Sequence, residues 1–104
     1  MNKLFLVPLM LLPSLAFAFP IDVTKKLNGA EIVYNTTTIS SNMAAINIQN
    51  VGGTAAQCRV VFVNGPENPR VRNTVVQSGS SSYVTANFNR AVIRLRITLT
   101  CNPT

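Results

Sequence analysis

Histidine and tryptophan are missing from this 104-residue chain, and only three carboxylate side chains, Asp22, Glu31 and Glu67, balance nine lysines and arginines. Without histidine the chain lacks the usual general base and the commonest transition-metal ligand. The spacing of the carboxylates does not predict an acid/base pair of the kind that glycosidases use. No glycine-rich loop followed by lysine is present to hold a nucleotide phosphate. We therefore predict a protein that is not an enzyme and that has no catalytic residue, metal site or cofactor.

Cysteine is also scarce, with Cys58 and Cys101 as the two copies in the chain. Both fall in phase with the apolar residues of their own predicted strands, so both thiols are expected to face the core. A structural disulfide is the favoured interpretation, and a redox-active thiol pair is the alternative, although the C-x-x-C spacing of such pairs is missing. A bridge between Cys58 and Cys101 would close the long loop between them, and in the chain-entropy model this would stabilise the fold by about 4 kcal/mol.

Long hydrophobic runs are confined to the start of the chain. Met1-Asn2-Lys3 precedes the apolar run Leu4–Leu12, and Ala16-Phe17-Ala18 supplies small residues for a cleavage site. This layout predicts a secretory signal peptide over residues 1–18, since the run is too short to span a bilayer of about 30 Å. We expect a periplasmic or secreted protein whose remaining residues, 19–104, form a single domain without a transmembrane segment. Such compartments are oxidising and favour the disulfide.

Alternating apolar and polar residues, rather than a helical stripe, continue through residues 19–104. The clearest predicted strands are Met43–Asn50, Ala56–Val63, Ser82–Phe88 and Ala91–Cys101, and shorter ones are Ile21–Lys26, Glu31–Asn35 and Arg70–Val76. In the last part of the chain the pattern assigns Ile93 and Leu95 to the core face, and Arg94 and Arg96 to the outer face. Seven short strands separated by turn signals predict an all-β, immunoglobulin-like β-sandwich with one disulfide.

Arginine is the one abundant charged residue. The chain has a formal net charge of +6, of which Lys3 lies in the predicted leader, so residues 19–104 carry +5. Arginine favours bidentate binding of carboxylate or phosphate, and the predicted strands carry five candidate binding residues: Arg94, Arg96, Arg59, Arg70 and Arg72. We predict a binding module that recognises an unidentified acidic protein or envelope polymer through an arginine-rich sheet face.

Two other interpretations of the basic character stay open. The arginines could be an ordinary solvated sheet face that keeps the protein soluble. The protein could also be a small inhibitor or immunity-type protein of an envelope enzyme, with the loop Gly65–Pro69 as the inserting element. Nucleic acid is not an expected partner, because the chain is predicted to be exported and lacks an interleaved aromatic platform.

Several segments resemble a family of small exported proteins of Gram-negative bacteria. They are Phe19-Pro20-Ile21-Asp22-Val23, Lys26-Leu27-Asn28-Gly29, Asn64-Gly65-Pro66-Glu67, and Val92-Ile93-Arg94-Leu95-Arg96 leading to Leu99-Thr100-Cys101. The resemblance covers residues 19–104 and implies a periplasmic location without assigning a function. The stretch Ile48–Phe62 is also similar to immunoglobulin-like envelope modules, including pilus chaperone domains.

Overall fold

The structure, a computed structural model, describes residues 19–104, so the predicted signal peptide lies outside the described residues. It contains seven strands: β1 (Ile21–Lys26), β2 (Ile32–Ser40), β3 (Met43–Asn50), β4 (Ala56–Val63), β5 (Arg70–Val76), β6 (Ser81–Asn87) and β7 (Leu95–Pro103). The prediction of an all-β, seven-stranded protein is confirmed. No helix in the described range is long and apolar enough to cross a membrane.

The strands form two sheets that pack face to face. Sheet A has four strands in the order β1-β7-β4-β5, and sheet B has three in the order β2-β3-β6. All neighbours are antiparallel except β1 and β7, which run parallel. The division into four and three strands matches a constant-type immunoglobulin domain, but there the smaller sheet holds the third, sixth and seventh strands. The arrangement is thus a β-sandwich with its own strand order.

A disulfide between Cys58 and Cys101 links two neighbouring strands of sheet A. The two residues lie directly opposite each other in the β4–β7 ladder, with a Cα–Cα distance of 4.1 Å. Both are almost fully buried, as their phase predicted. The predicted bridge is confirmed, and it joins strands within one sheet rather than across the sandwich.

The core lies between the inner faces of the two sheets. Its fully buried members include Val60, Phe62, Leu95, Ile97 and Leu99 from sheet A, and Ile46 and Ile48 from sheet B. Each set alternates along its strand with exposed or half-buried residues, as expected for sheets that have one face in water. The β-branched and aromatic residues of the inner faces therefore account for the strand assignment.

The last predicted strand, Ala91–Cys101, begins too early, because β7 begins at Leu95 and the residues before it belong to the β6–β7 loop. Ile93 was expected in the core but is 85% exposed, whereas its neighbour Val92 is only 8% exposed. The Val92 N–H donates to the Ser41 carbonyl at 2.7 Å, which ties this segment to the β2–β3 turn of sheet B. The chain joins sheet A only at Leu95, whose N–H donates to the Pro20 carbonyl at 3.0 Å. The crossing between sheets breaks the alternation.

Asn50 is a buried polar residue that holds the two sheets together at the opposite end of the sandwich. It is 1% exposed, and its amide donates to the carbonyls of Thr54 at 2.8 Å and Val76 at 2.9 Å. Its carbonyl oxygen Oδ1 accepts from the Gly52 N–H at 2.9 Å. Since Asn50 belongs to sheet B and Val76 to sheet A, one side chain bridges the two sheets while its own polar atoms stay satisfied.

Candidate functional site

The five candidate arginines do not share one face. Arg59 and Arg96 point outward from sheet A, because their ladder partners Thr100 and Val63 belong to its outer row. Arg94 lies in the bend before β7, not in the strand. The remaining two, Arg70 and Arg72, are on the opposite side of sheet A.

Arg70 and Arg72 belong to the inner row of sheet A, at its edge. The register pairs Arg70 with Phe62 and Arg72 with Val60, and both of these partners are core residues. The two arginines reach past the core at the margin of the sandwich, where β5 has no further neighbour in its sheet. Of the three valines of β5, Val71 and Val75 are exposed on the outer face, and Val76 is buried in the core.

Arg70 is used for internal contacts. Its Nε donates to the Asn87 carbonyl at 3.2 Å, and Nη1 donates to the Asn68 carbonyl at 2.5 Å. Its guanidinium carbon lies 5.0 Å from the centroid of the Phe88 ring, a cation–π distance. These contacts connect the start of β5 with the end of β6, so Arg70 closes one side of the sandwich and has a structural role.

Glu67 fastens the β4–β5 loop to the β6–β7 loop. Its Oε1 accepts from the Asn89 N–H at 3.0 Å, and its Oε2 accepts from the Arg90 N–H at 3.1 Å. The Asn64 amide donates to Oε2 at 2.8 Å, and Arg70 Nη2 lies 3.5 Å from Oε1. Both carboxylate oxygens are therefore engaged inside the loop pair, where the side chain is only 10% exposed.

These contacts decide the ionisation of Glu67. Burial acts to raise its pKa, but two backbone N–H groups, the Asn64 amide and the Arg70 charge outweigh that effect and hold the pKa below its ordinary value of 4.5. The carboxylate is ionised at neutral pH, and its charge is directed into the loop rather than toward solvent.

An open groove of about 390 Å³ lies beside these two loops, at the end of sheet A where β7 begins. Three arginines line it: Arg90, Arg94 and Arg96. The apolar part of its lining includes Val63, Pro66, Ala91 and Ile93. The groove thus combines three arginines with an exposed apolar surface, to which Ile93, 85% exposed, contributes.

The electrostatic character of the groove is positive. Arg94 Nε lies 3.5 Å from Asp22 Oδ2, but both side chains are more than half exposed, and such surface pairs are weak. Within residues 19–104, Arg90 and Arg96 form no ion pair. Since Glu67 directs its carboxylate oxygens to Asn64, Arg70 and the loop amides, the arginines outweigh the one carboxylate in the lining.

Of the predicted binding residues, the structure brings Arg94 and Arg96 together, and it leaves Arg59, Arg70 and Arg72 outside the groove. Arg90 is a site residue that sequence reasoning missed. It lies between the predicted strands Ser82–Phe88 and Ala91–Cys101, and the facing wall of the groove belongs to a loop more than twenty residues away. A charged residue at a turn carries no periodic signal, so only the contact between the two loops identifies it.

Comparison with known proteins does not identify a relative: no protein family, curated protein or solved structure matches the chain significantly. Within the described range, no three or more carboxylate or cysteine side chains gather into a group that could hold a metal ion.

Proposed function

We propose that the protein is an exported, non-enzymatic binding module that holds an acidic ligand in the groove formed by Arg90, Arg94 and Arg96. The observation that carries this proposal is that these three arginines line one groove together with Ile93, which is 85% exposed. The arginines suit a carboxylate or phosphate group, and the apolar lining suits a hydrophobic part of the same ligand. An acidic segment of an envelope protein or an acidic envelope polymer has this chemistry.

Export supports the choice of partner. The leader of residues 1–18 has the layout of a secretory signal, and the buried disulfide is of a kind that persists in oxidising compartments. A periplasmic or secreted location brings the groove into contact with envelope components.

The test is site-specific photocrosslinking in cells, with the photoreactive residue at Ile93 in the groove. The matched control carries it at Val75, which is 53% exposed on the outer face of sheet A and does not line the groove. We expect a defined crosslinked product from position 93 and not from position 75. Equal products from both positions would contradict a groove-specific ligand.

Charge reversal then tests the arginines. Arg94→Glu with Arg96→Glu should abolish the product at position 93. Arg59→Glu with Arg72→Glu changes the net charge by the same amount on exposed residues away from the groove, and it should leave the product in place. Loss in both double variants would mean that overall charge, not the groove, attracts the partner.

One observation favours the inhibitor or immunity-type alternative. The loop Gly65–Pro69 forms one wall of the groove through Gly65, Pro66 and Glu67, and the contacts of Glu67 fix its shape. A fixed, exposed loop is suited to insertion into an enzyme cleft, because little ordering entropy is lost on binding. Pro66→Ser should then abolish capture of an enzyme while Arg94→Glu with Arg96→Glu preserves it, the reverse of the outcome for an acidic ligand.

A further inference from the structure

Sheet B contains no charged residue in any of its strands. The segments Ile32–Ser40, Met43–Asn50 and Ser81–Asn87 lack lysine, arginine, aspartate and glutamate throughout. The outer face of the sheet consists mainly of asparagine, glutamine, threonine and serine side chains, together with Ala45 and the exposed Val33, Ile39 and Tyr83. On a chain segment with a net charge of +5, this is a distinct neutral surface.

The open edge of this sheet is β2, which lacks the features that protect edge strands from pairing. Charged side chains, especially lysine, and proline are the common protections. β1 carries Asp22, Lys25 and Lys26, and β5 carries Arg70 and Arg72. β2 has neither a charge nor a proline over nine residues, and its one irregularity is a bulge between Thr38 and Ser40, at its end.

The other edge of sheet B, β6, is partly occupied by sheet A. Ser82 Oγ lies 3.1 Å from Thr74 Oγ1 of β5, and the Asn87 carbonyl accepts from Arg70 Nε at 3.2 Å. Arg70 therefore places a cation beside β6. Near β2, the cation Lys25 lies 5.7 Å from the Tyr34 ring centroid, on the inner side of the strand. The outer row of β2, with Val33, Asn35 and Thr37, stays uncharged.

We propose that β2 pairs antiparallel with β2 of a second copy of this chain, about a two-fold axis near the middle of the strand. Because each copy carries a net positive charge, two copies repel each other when they approach through charged surfaces. At the β2 edge the paired strands would bring no charged side chains together. A two-fold axis near Thr36 also makes the strand self-complementary, since it sets Val33 of one copy near Ile39 of the other. These side chains are 52% and 41% exposed in the single chain.

Such pairing would satisfy the outward backbone groups of β2 and produce one sheet that runs across both copies. A single strand pairing buries less area than the standard interface of about 1,600 Å². We therefore expect a weak dimer, with a dissociation constant in the micromolar range or above. This inference is independent of the groove, which lies on sheet A and the two loops at its end.

Two threonines provide a matched test. Thr37 on β2 and Thr85 on β6 flank the same residue, Ala45, on the outer face of sheet B. Thr37→Lys places a cation at the proposed interface, where the two-fold axis brings two such cations close together and like charges repel. Thr85→Lys adds the same charge to the opposite edge.

The measurement is sedimentation of the exported chain from micromolar to near-millimolar concentration. We expect the wild type and Thr85→Lys to approach dimer mass together, and Thr37→Lys to raise the dissociation constant by at least about tenfold. Should Thr37→Lys fail to fold, Asn35→Lys on the same exposed row replaces it. A wild type that stays monomeric throughout, or a dimer that survives both Thr37→Lys and Asn35→Lys, would overturn the proposal.

Discussion

The strands of sheet A contain every charged residue that the described structure places in a strand, whereas the strands of sheet B contain none. Away from Arg70 and Arg72 at the edge of sheet A, the inner faces of both sheets are largely apolar and meet in one core. Core packing therefore requires apolar residues in the inner rows of both sheets, whereas the charge of the outer rows can differ between the sheets. The charged surface near sheet A suits recognition of an anion, and the neutral edge of sheet B suits contact with another strand.

The sheets also differ in how they are held together. The disulfide lies within sheet A, between β4 and β7. Sheet B has no such cross-link, and beyond the apolar core its contacts to sheet A include the side-chain hydrogen bonds of Asn50 and Ser82 and the cation–π contact between Lys25 and Tyr34. The two sheets should therefore respond to different substitutions, sheet A to loss of the disulfide and the contact between the sheets to loss of Asn50.

The largest loss is expected from Cys58→Ser combined with Cys101→Ser. The bridge spans a sequence separation of 43, and losing that constraint on the unfolded chain should lower the free energy of unfolding by about 2–5 kcal/mol. The measurement is urea unfolding of the variant and of the wild type, the latter with and without reductant. A midpoint that neither change moves would show that sheet A does not depend on its cross-link.

The next loss concerns the contact between sheets. Asn50→Ala removes the amide that donates to Thr54 and Val76 and leaves these carbonyls without that donor, which should cost about 1–3 kcal/mol. Asn47→Ala is the matched control, because Asn47 lies on the outer face of the same strand. Equal urea midpoints for the two variants would contradict the assignment of Asn50 as the link between the sheets.

A smaller difference is expected between two neighbours in the β6–β7 loop. Val92→Ala should lower the free energy of unfolding by about 1–2 kcal/mol, because Val92 is 8% exposed and fills the core beside the loop. Ile93→Ala should change it by less than about 0.5 kcal/mol, because Ile93 is 85% exposed. Thermal unfolding of both variants checks the order. The reverse order would restore the strand alternation that the sequence suggested for this segment.

Strand positions were predictable because alternation is a local property of each strand. β3 and β4 have the predicted bounds, and the phase of Cys58 and Cys101 was correct. The pairing of strands was not predictable, since crossings between sheets bring together segments that are distant along the chain. β2 was predicted too short because Thr36-Thr37-Thr38 has no apolar alternation to mark it as strand.

The candidate site was predictable in part. Arg94 and Arg96 were identified as neighbours, but the groove that they line with Arg90 is completed by the β4–β5 loop. In β5 the alternation of residue types did not indicate which face is buried, because β5 is an edge strand. Its inner row holds Arg70 and Arg72, which reach solvent past the margin of the core, and its outer row holds exposed valines. An edge strand with mixed residues on both faces carries little information about which face is inside.

The subtlest effect concerns the loops beside sheet A, and it appears as a pH dependence. The pKa of Glu67 is lower in the folded protein than its ordinary value of 4.5, so ionisation of Glu67 favours folding. This contribution is complete above the pKa of the unfolded state and is lost as the pH falls through the pKa of the folded state. Glu67→Gln removes the ionisation and replaces one acceptor oxygen with an NH2 group, which then faces the backbone N–H donor of either Asn89 or Arg90.

The melting temperature of Glu67→Gln should therefore lie below that of the wild type at neutral pH and approach it as the pH falls below 4.5. Glu31 is exposed and lies outside the loop pair, so Glu31→Gln is the control for loss of a carboxylate. Its melting temperature should not show the same approach to that of the wild type at low pH. A constant difference between Glu67→Gln and the wild type at every pH would mean that shape, not charge, fixes the loops. In that case the groove would keep its geometry in acid, and any loss of anionic ligand there would reflect protonation of the ligand itself.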